Sequence, residues 1–294
     1  MPDSPLHSSV LAWYAGAARD LPWRGPERDA WGVLVSEVML QQTPVARVVP
    51  AWEAWLRRWP EPASLAVDPP GEAVRMWGRL GYPRRALRLH AAATECVARF
   101  DGRVPSTYDA LRSLPGVGDY TAAAVLAFAH GRRAVVLDTN VRRVLARAVD
   151  GAALPTPAVT AAERARAESV LPDDDATAAT WSVAVMELGA LVCTAAAPDC
   201  ARCPVAGRCA WLAAGRPAYD GPARPSQRFA GTDRQVRGRL MAVLREAPHG
   251  VVKGELDVVW HDDVQRERAL DALVADGLVD PLPDGRFALP GTGR

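Results

Sequence analysis

The sequence predicts an all-α protein carrying a small C-terminal α+β domain, and three observations support that reading. Up to about residue 215, apolar residues recur at helical spacing in stretches separated by Pro- and Gly-bearing turns. The densest of these turns, Leu114-Pro115-Gly116-Val117-Gly118, lies between two such stretches. There Pro115 lacks an amide donor and Gly116 and Gly118 accept angles that other residues avoid, so the chain turns back as a hairpin. Only after residue 232 do helical runs alternate with short extended ones. A chain of 294 residues has room for about two domains, each with its own core.

Taken in order, Ala12 to Arg19 continues a short amphipathic helix that stops near Leu21-Pro22-Trp23-Arg24. Trp31 to Gln42 has the length and apolar content of a buried helix, with Glu37 in its middle. A carboxylate flanked by Val33, Leu34, Val35, Val38, Met39 and Leu40 is poorly solvated, which raises its pKa and suits a proton donor. A buried Glu paired with an Arg explains the position equally well. Leu40 and Gln41, three and four residues on, fall on the same side and form a wedge beside the acid.

Thr43-Pro44 ends that helix and opens the next, Val45 to Trp59, whose stripe of Trp52, Trp55 and Trp59 reads as core. Glu72 to Gly81 is a short helix. Tyr82, between a glycine turn and Pro83, is an aromatic at a loop tip, where it can cap the turn or stack on a base. Arg84 to Phe100 is an amphipathic helix with Cys96 as a core thiol.

After the hairpin, Ala122 to Phe128 forms a helix whose first turn, at Asp119 and Tyr120, directs amides outward in a way that suits a phosphate. An ordinary helix–helix turn has the same appearance. It is not a nucleotide P-loop, since the glycine spacing is too short and no Gly-Lys-Ser/Thr follows. Asp138 precedes a helical pattern as an N-cap, and amides bonding its charged form would depress its pKa. Two carboxylates pushed apart, Glu37 up and Asp138 down, form the pattern of an acid and an anionic stabiliser in glycoside chemistry. Helices continue over Ala158 to Val170 and Ala176 to Val192. Glu187, the one charge of the second, reads as a buried ion-pair partner or as an acceptor lining the same pocket.

Composition narrows the chemistry. Hydrophobic residues at 49% and charged ones at 23% describe an ordinary globular protein, and a net charge of +1 rules out a whole-molecule field as the attraction for nucleic acid. The local candidate is basic: His130, Arg132, Arg133, Arg142, Arg143 and Arg147 around Asp138. Lys253 is the only lysine, so no Schiff base can form before it. No apolar run reaches membrane-spanning length and the N-terminus lacks a signal peptide, which leads us to expect a cytoplasmic protein with reduced thiols and no membrane partner. There, Cys193, Cys200, Cys203 and Cys209 at the end of the last helix read as a metal centre, zinc or [4Fe–4S], with no position open to substrate.

Together, Leu21-Pro22-Trp23-Arg24, Ser36-Glu37-Val38-Met39-Leu40-Gln41-Gln42-Thr43, Leu80-Gly81-Tyr82, the hairpin, Leu137-Asp138 with Asn140-Val141, and the cysteine pattern resemble the endonuclease III superfamily of DNA glycosylases, and its adenine-specific branch. The match runs over roughly residues 10 to 212. The resemblance implies a helix-hairpin-helix fold of two helical lobes with an iron-sulfur cluster loop. It also implies a [4Fe–4S] cofactor on the four cysteines, and excision of adenine opposite 8-oxoguanine or guanine from duplex DNA by a monomer in the nucleoid. Glu37 would protonate adenine on N7 and later activate water. Asp138 would stabilise the cationic sugar by charge or a transient covalent bond. Leu40, Gln41, Gln42 and Tyr82 would hold the opened duplex, with Gly116 and Gly118 on the phosphates, Arg24 and Glu187 near the base, and Asn140 beside Asp138. Strand-cleaving members carry lysine where this chain has Tyr120, so the enzyme would be monofunctional.

The expected division is a catalytic domain over residues 1–215, with a six-helix lobe at about 22–134 and a cluster lobe of 1–21 and 135–215. A linker over 216–232 and a winged-helix-like domain over 233–294 follow. The last domain departs from the larger Nudix-like one usual in the branch. A mismatch thymine glycosylase and a non-catalytic DNA-binding regulator are the alternative functions.

Overall fold

The computed structural model describes residues 5–25, 29–222 and 229–293. In chain order the helices are α1 (Pro5–Ala17), α2 (Ala30–Leu40), α3 (Val45–Arg58), α4 (Pro62–Ala66), α5 (Pro70–Trp77), α6 (Arg84–Arg99), α7 (Tyr108–Arg112) and α8 (Asp119–Phe128). They continue with α9 (Thr139–Ala148), α10 (Ala161–Ser169), α11 (Asp175–Leu191), α12 (Ala210–Ala213), α13 (Asp233–Glu246), α14 (Lys253–Asp257) and α15 (Asp263–Ala275). Strands β1 (Val251–Val252), β2 (Asp280–Pro281) and β3 (Arg286–Ala288) form one antiparallel sheet in the order β1-β3-β2. The protein is therefore helical, with a small winged-helix-like α+β element at its end. No helix among the described residues is long and apolar enough to cross a membrane.

The chain gathers into two compact units. One holds Met1–Val33, Ser106–Arg112 and Val117–Arg224; the other holds Leu34–Pro105, Ser113–Gly116 and Pro225–Arg294. These boundaries differ from those expected of the sequence, for two packing reasons. In the first unit α8 lies on α11, where Ala123, Ala124 and Ala127 form a small core with Val136, backed by Tyr120, Ala179 and Met186. Residues 117–134 accordingly join the cysteine-bearing unit. In the second, the C-terminal residues pack on α5 as well as on one another, as α13 contacts both α15 and α5 and the Gly71 amide donates to the Pro290 carbonyl at 2.7 Å. Residues 223–228 of the expected linker lie outside the described residues.

The first unit is built on α11, which α1, α8 and α9 all contact. Close approach of α9 requires Gly189: a Cβ there would stand 2.7 Å from Cβ of Asn140 and 2.9 Å from its carbonyl oxygen. The second unit is built on the tryptophans of α3 and α5. Trp55 meets Trp59 and Trp77 edge to face, with ring centroids 4.6 and 5.7 Å apart, and all three are buried. The Trp55 and Trp59 part of the stripe is thus core, and Cys96 is buried with it.

Candidate active site and metal centre

Helix α2 is buried from Trp31 to Met39, and Glu37, in the part of it that belongs to the second unit, is only 5% exposed. Its carboxyl is therefore largely withdrawn from solvent. The helix stops at Leu40, two residues short of the expected Gln42, because Thr43 precedes Pro44 and is barred from helical angles. Gln41 and Gln42 consequently stand in the turn that follows, and Gln42 takes a left-handed φ of 56°. Tyr82 is likewise left-handed, at φ 47°, and half exposed at the tip of the α5–α6 loop.

Gly116 joins the same unit. Its φ of 80° and a Cβ position only 2.7 Å from Cβ of Arg88 both require glycine. Gly118, in the other unit, is different: it is extended, at φ −90° and ψ 177°, and a Cβ there would meet nothing within 4 Å.

In the first unit Asp138 is the N-cap of α9, with Oδ1 accepting from the Val141 amide at 2.6 Å and Oδ2 from Asn140 Nδ2 at 2.7 Å. The Asn140 Oδ1 accepts from Arg143 Nη2 at 2.8 Å, which fixes the direction of the amide. Arg143 donates onward through Nη2 to the Gly189 carbonyl and through Nε to the Cys193 carbonyl, both at 2.7 Å. A continuous chain of hydrogen bonds thus runs from the Asp138 carboxylate to a cysteine backbone.

The expected downward shift of Asp138 is corrected. Burial around the carboxylate raises its pKa and outweighs the Val141 and Asn140 bonds and the charge of Arg143. Counting caps along the sequence registers the hydrogen bonds and omits the desolvation.

Glu187 is fully buried, and both its oxygens are engaged: Oε1 by Arg19 Nε at 2.6 Å, Oε2 by Arg19 Nη2 at 2.8 Å and by Arg24 Nη2 at 3.0 Å. Of its two sequence readings, the ion pair is the one the structure adopts, and Arg19 is a partner the sequence did not single out. Among the described residues Arg24 Nη1 is a buried donor with no acceptor.

Burial pushes the Glu187 carboxyl up, but the bonds from Arg19 and Arg24 more than offset this and hold it at about 2. A depressed native pKa adds stability above the ordinary carboxylate range and loses it as pH falls toward the native value. Glu187→Gln is therefore expected to cost roughly 3–5 kcal/mol, since it leaves two guanidiniums without their counter-charge. Urea midpoints measured between pH 7 and pH 3 should show the gap between the proteins narrowing toward acid. A gap that is constant or grows would contradict the ion-pair assignment.

The basic cluster is also corrected. Arg142 pairs with Glu163, Arg133 with Glu168 and Arg132 with Asp175. Arg143 and Arg147 are buried, only 8% and 3% exposed. All five arginines thus have partners within the unit, while the Arg132 side chain stays exposed.

Arg147 lies against the cysteines. It donates to Cys193 Sγ at 3.4 Å and to the Thr194 and Ala195 carbonyls at 2.7 and 3.0 Å, and stacks 4.7 Å from the Trp211 ring. Cys193, Cys200, Cys203 and Cys209 line one pocket together with Arg147, Val192 and Trp211. Among the described residues no three Cys, His, Asp or Glu side chains are gathered so as to hold a single metal ion. Burial, reinforced by the neighbouring cysteines, pushes the Cys203 thiol up to about 11. Four thiol donors on one pocket fit a thiolate-ligated metal centre.

Comparison with known proteins places these features in context. Residues 35–167 match the family model described as HhH-GPD superfamily base excision DNA repair protein. The chain is 54% identical over 286 residues, 97% of its length and 96% of the relative's, to an adenine DNA glycosylase of Mycolicibacterium smegmatis. It is 52% identical over 293 residues, 98% of its length and 96% of the relative's, to an adenine DNA glycosylase of Mycobacterium tuberculosis. Among solved structures, a thermostable thymine-DNA glycosylase superposes with a TM-score of 0.64 at 27% identity, over 71% of this chain and 95% of that one.

Proposed function

Since the chain belongs to the adenine DNA glycosylase family of the HhH-GPD superfamily, we propose that it hydrolyses the N-glycosidic bond of adenine mispaired with 8-oxoguanine or guanine in duplex DNA. The observation that carries this reading is the pairing of a full-length match at 54% identity with two carboxylates in suitable settings: Glu37 buried on α2, and Asp138 immobilised by two hydrogen bonds.

Glu37 is the proton donor to N7 of the extruded adenine, which makes the base a neutral leaving group. The same carboxylate, now deprotonated, accepts a proton from the attacking water. Asp138 faces the oxocarbenium sugar. Its attraction for that cation is stronger for being desolvated, and its orientation is set before the reaction begins. Arg24 Nη1, buried and unpartnered, is the donor available to the base, and Glu187 serves by holding that guanidinium.

Leu40, Gln41, Gln42 and Tyr82 hold the opened duplex, and Gly116 and Gly118 bring the hairpin backbone to a phosphate. Gly118 supports this role because neither strain nor packing requires glycine there, while a bare backbone at the start of α8 admits a ligand. The reaction stops at base release. Tyr120 packs on the α8 core, and the only lysine, Lys253, is paired with Asp257 and Glu267. The four cysteines hold a [4Fe–4S] cluster, which when bound ties residues 193–209 together and offers substrate no open coordination position. A DNA substrate places the enzyme, as a monomer, with the chromosome.

Duplexes carrying A opposite 8-oxoguanine, A opposite guanine and T opposite guanine test the assignment. Adenine release from the first two is expected. Thymine release without adenine release would mean a mismatch thymine glycosylase, and binding with no release from any duplex would mean a regulator.

A further inference from the structure

Arg85, at the start of α6, is 6% exposed, and among the described residues its partners are carbonyls and one hydroxyl. Nη1 donates to the carbonyls of Val38, Met39 and Gln41 at 2.8, 3.0 and 2.6 Å. The first two are carbonyls that the end of α2 cannot satisfy within itself, and the third belongs to the turn that follows. Nη2 donates to Thr43 Oγ1 at 3.1 Å and to the carbonyls of Gly81 and Leu80 at 3.0 and 3.4 Å. Thr43 Oγ1 in turn donates to the Leu80 carbonyl at 3.3 Å. The guanidinium lies 5.1 Å from the Trp77 ring centroid and 5.7 Å from that of Tyr82.

One planar cation thus fastens two separate turns, each carrying a non-glycine residue in the left-handed region: Gln42 and Tyr82. Such conformations cost of order 1–3 kcal/mol each and persist only where the surroundings over-determine them. The Gln41 and Gly81 carbonyls, one beside each of those residues, are both held by this fork. A lysine could supply the charge but not the two diverging nitrogens, so the spacing of the turns depends on the guanidinium itself.

We propose that Arg85 is a positioning residue that sets the distance between the Gln41–Gln42 turn and Tyr82, so that the two enter a mispaired duplex as one rigid two-pronged element. The proposal rests on the reading that these residues hold opened DNA. Arg85 touches no reacting atom; it acts through the turns it holds.

The test uses the full-length protein and the variants Arg85→Lys and Arg85→Met. Two readouts are compared. One is the fluorescence rise of 2-aminopurine placed opposite guanine, which reports extrusion without requiring base release. The other is adenine excision from A opposite guanine relative to A opposite an abasic analogue, where no pairing resists extrusion. With Arg85→Lys, extrusion and paired-substrate excision are expected to fall at least about tenfold, while excision opposite the abasic analogue changes by less than about threefold. Arg85→Met should show the same split more strongly; if it does not fold, the lysine variant carries the comparison.

Equal loss on both substrates, or extrusion retained within about twofold, would overturn the positioning role. The glycosylase reading fails separately: the unaltered protein would then extrude 2-aminopurine yet release no adenine.

Discussion

Glu37→Gln is expected to lower adenine release by roughly 100- to 10,000-fold while leaving affinity for duplex DNA close to that of the unaltered protein. Gln keeps the length and planarity of Glu and fits the same buried slot on α2, so the packing of Val38 and Met39 need not change. What is lost is the one proton this position can deliver, and the carboxylate that would later take a proton from water. Single-turnover excision measures the loss and a mobility-shift titration measures binding.

Asp138→Asn should behave differently. It removes the charge facing the sugar and also replaces an acceptor of the Val141 amide and the Asn140 side chain with a group that is half donor, so a lowered melting midpoint should accompany lost activity. Lost activity in Glu37→Gln together with lost binding would falsify the assignment of Glu37 as an acid and make it a structural residue.

What the sequence disclosed was local. The hairpin, the cap at Asp138, the Pro-terminated end of α2 and the grouping of four cysteines each follow from residues a few positions apart, whose backbone or ligand chemistry has few solutions. The arginines went unread for the opposite reason. Arg85 bonds carbonyls 44 to 47 residues away and Arg143 a carbonyl 50 residues away. A carbonyl is present at every position, so nothing in a sequence marks which one a guanidinium will find. In a chain whose basic residues are almost all arginine, these internal fasteners look the same as surface charge. The direction of the Asp138 shift was missed for a related reason, since its hydrogen bonds are local but its burial comes from packing.

Ending the chain at residue 224 is expected to impair excision opposite guanine and opposite 8-oxoguanine together, rather than removing only a lesion-reading attachment. Residues 225–294 belong to the same compact unit as α3 to α6. The Arg75 guanidinium donates to the carbonyls of Arg245 and Ala247, Arg245 Nε donates to the Val74 carbonyl, and Arg84 pairs with Asp276. At Gly71 the contact is so close that a Cβ would stand 2.6 Å from Thr292 Cγ2 and 2.9 Å from Cβ of Leu289. Truncation would expose this face of α5 and loosen the helix that supplies Trp77 to the core beneath Arg85 and the Tyr82 loop.

Gly71→Ala in the full-length chain probes the same contact without deleting anything. Overpacking of this kind costs roughly 1–3 kcal/mol, and each kcal/mol lowers the melting midpoint of a protein this size by about 2–4 °C. A fragment of residues 1–224 that melts with the full-length protein and still excises adenine opposite guanine would show that α5 and α6 hold the Tyr82 loop unaided. Co-loss of both activities in the fragment, with a lowered midpoint in Gly71→Ala, would instead make the C-terminal segment a structural support of the DNA-opening loops.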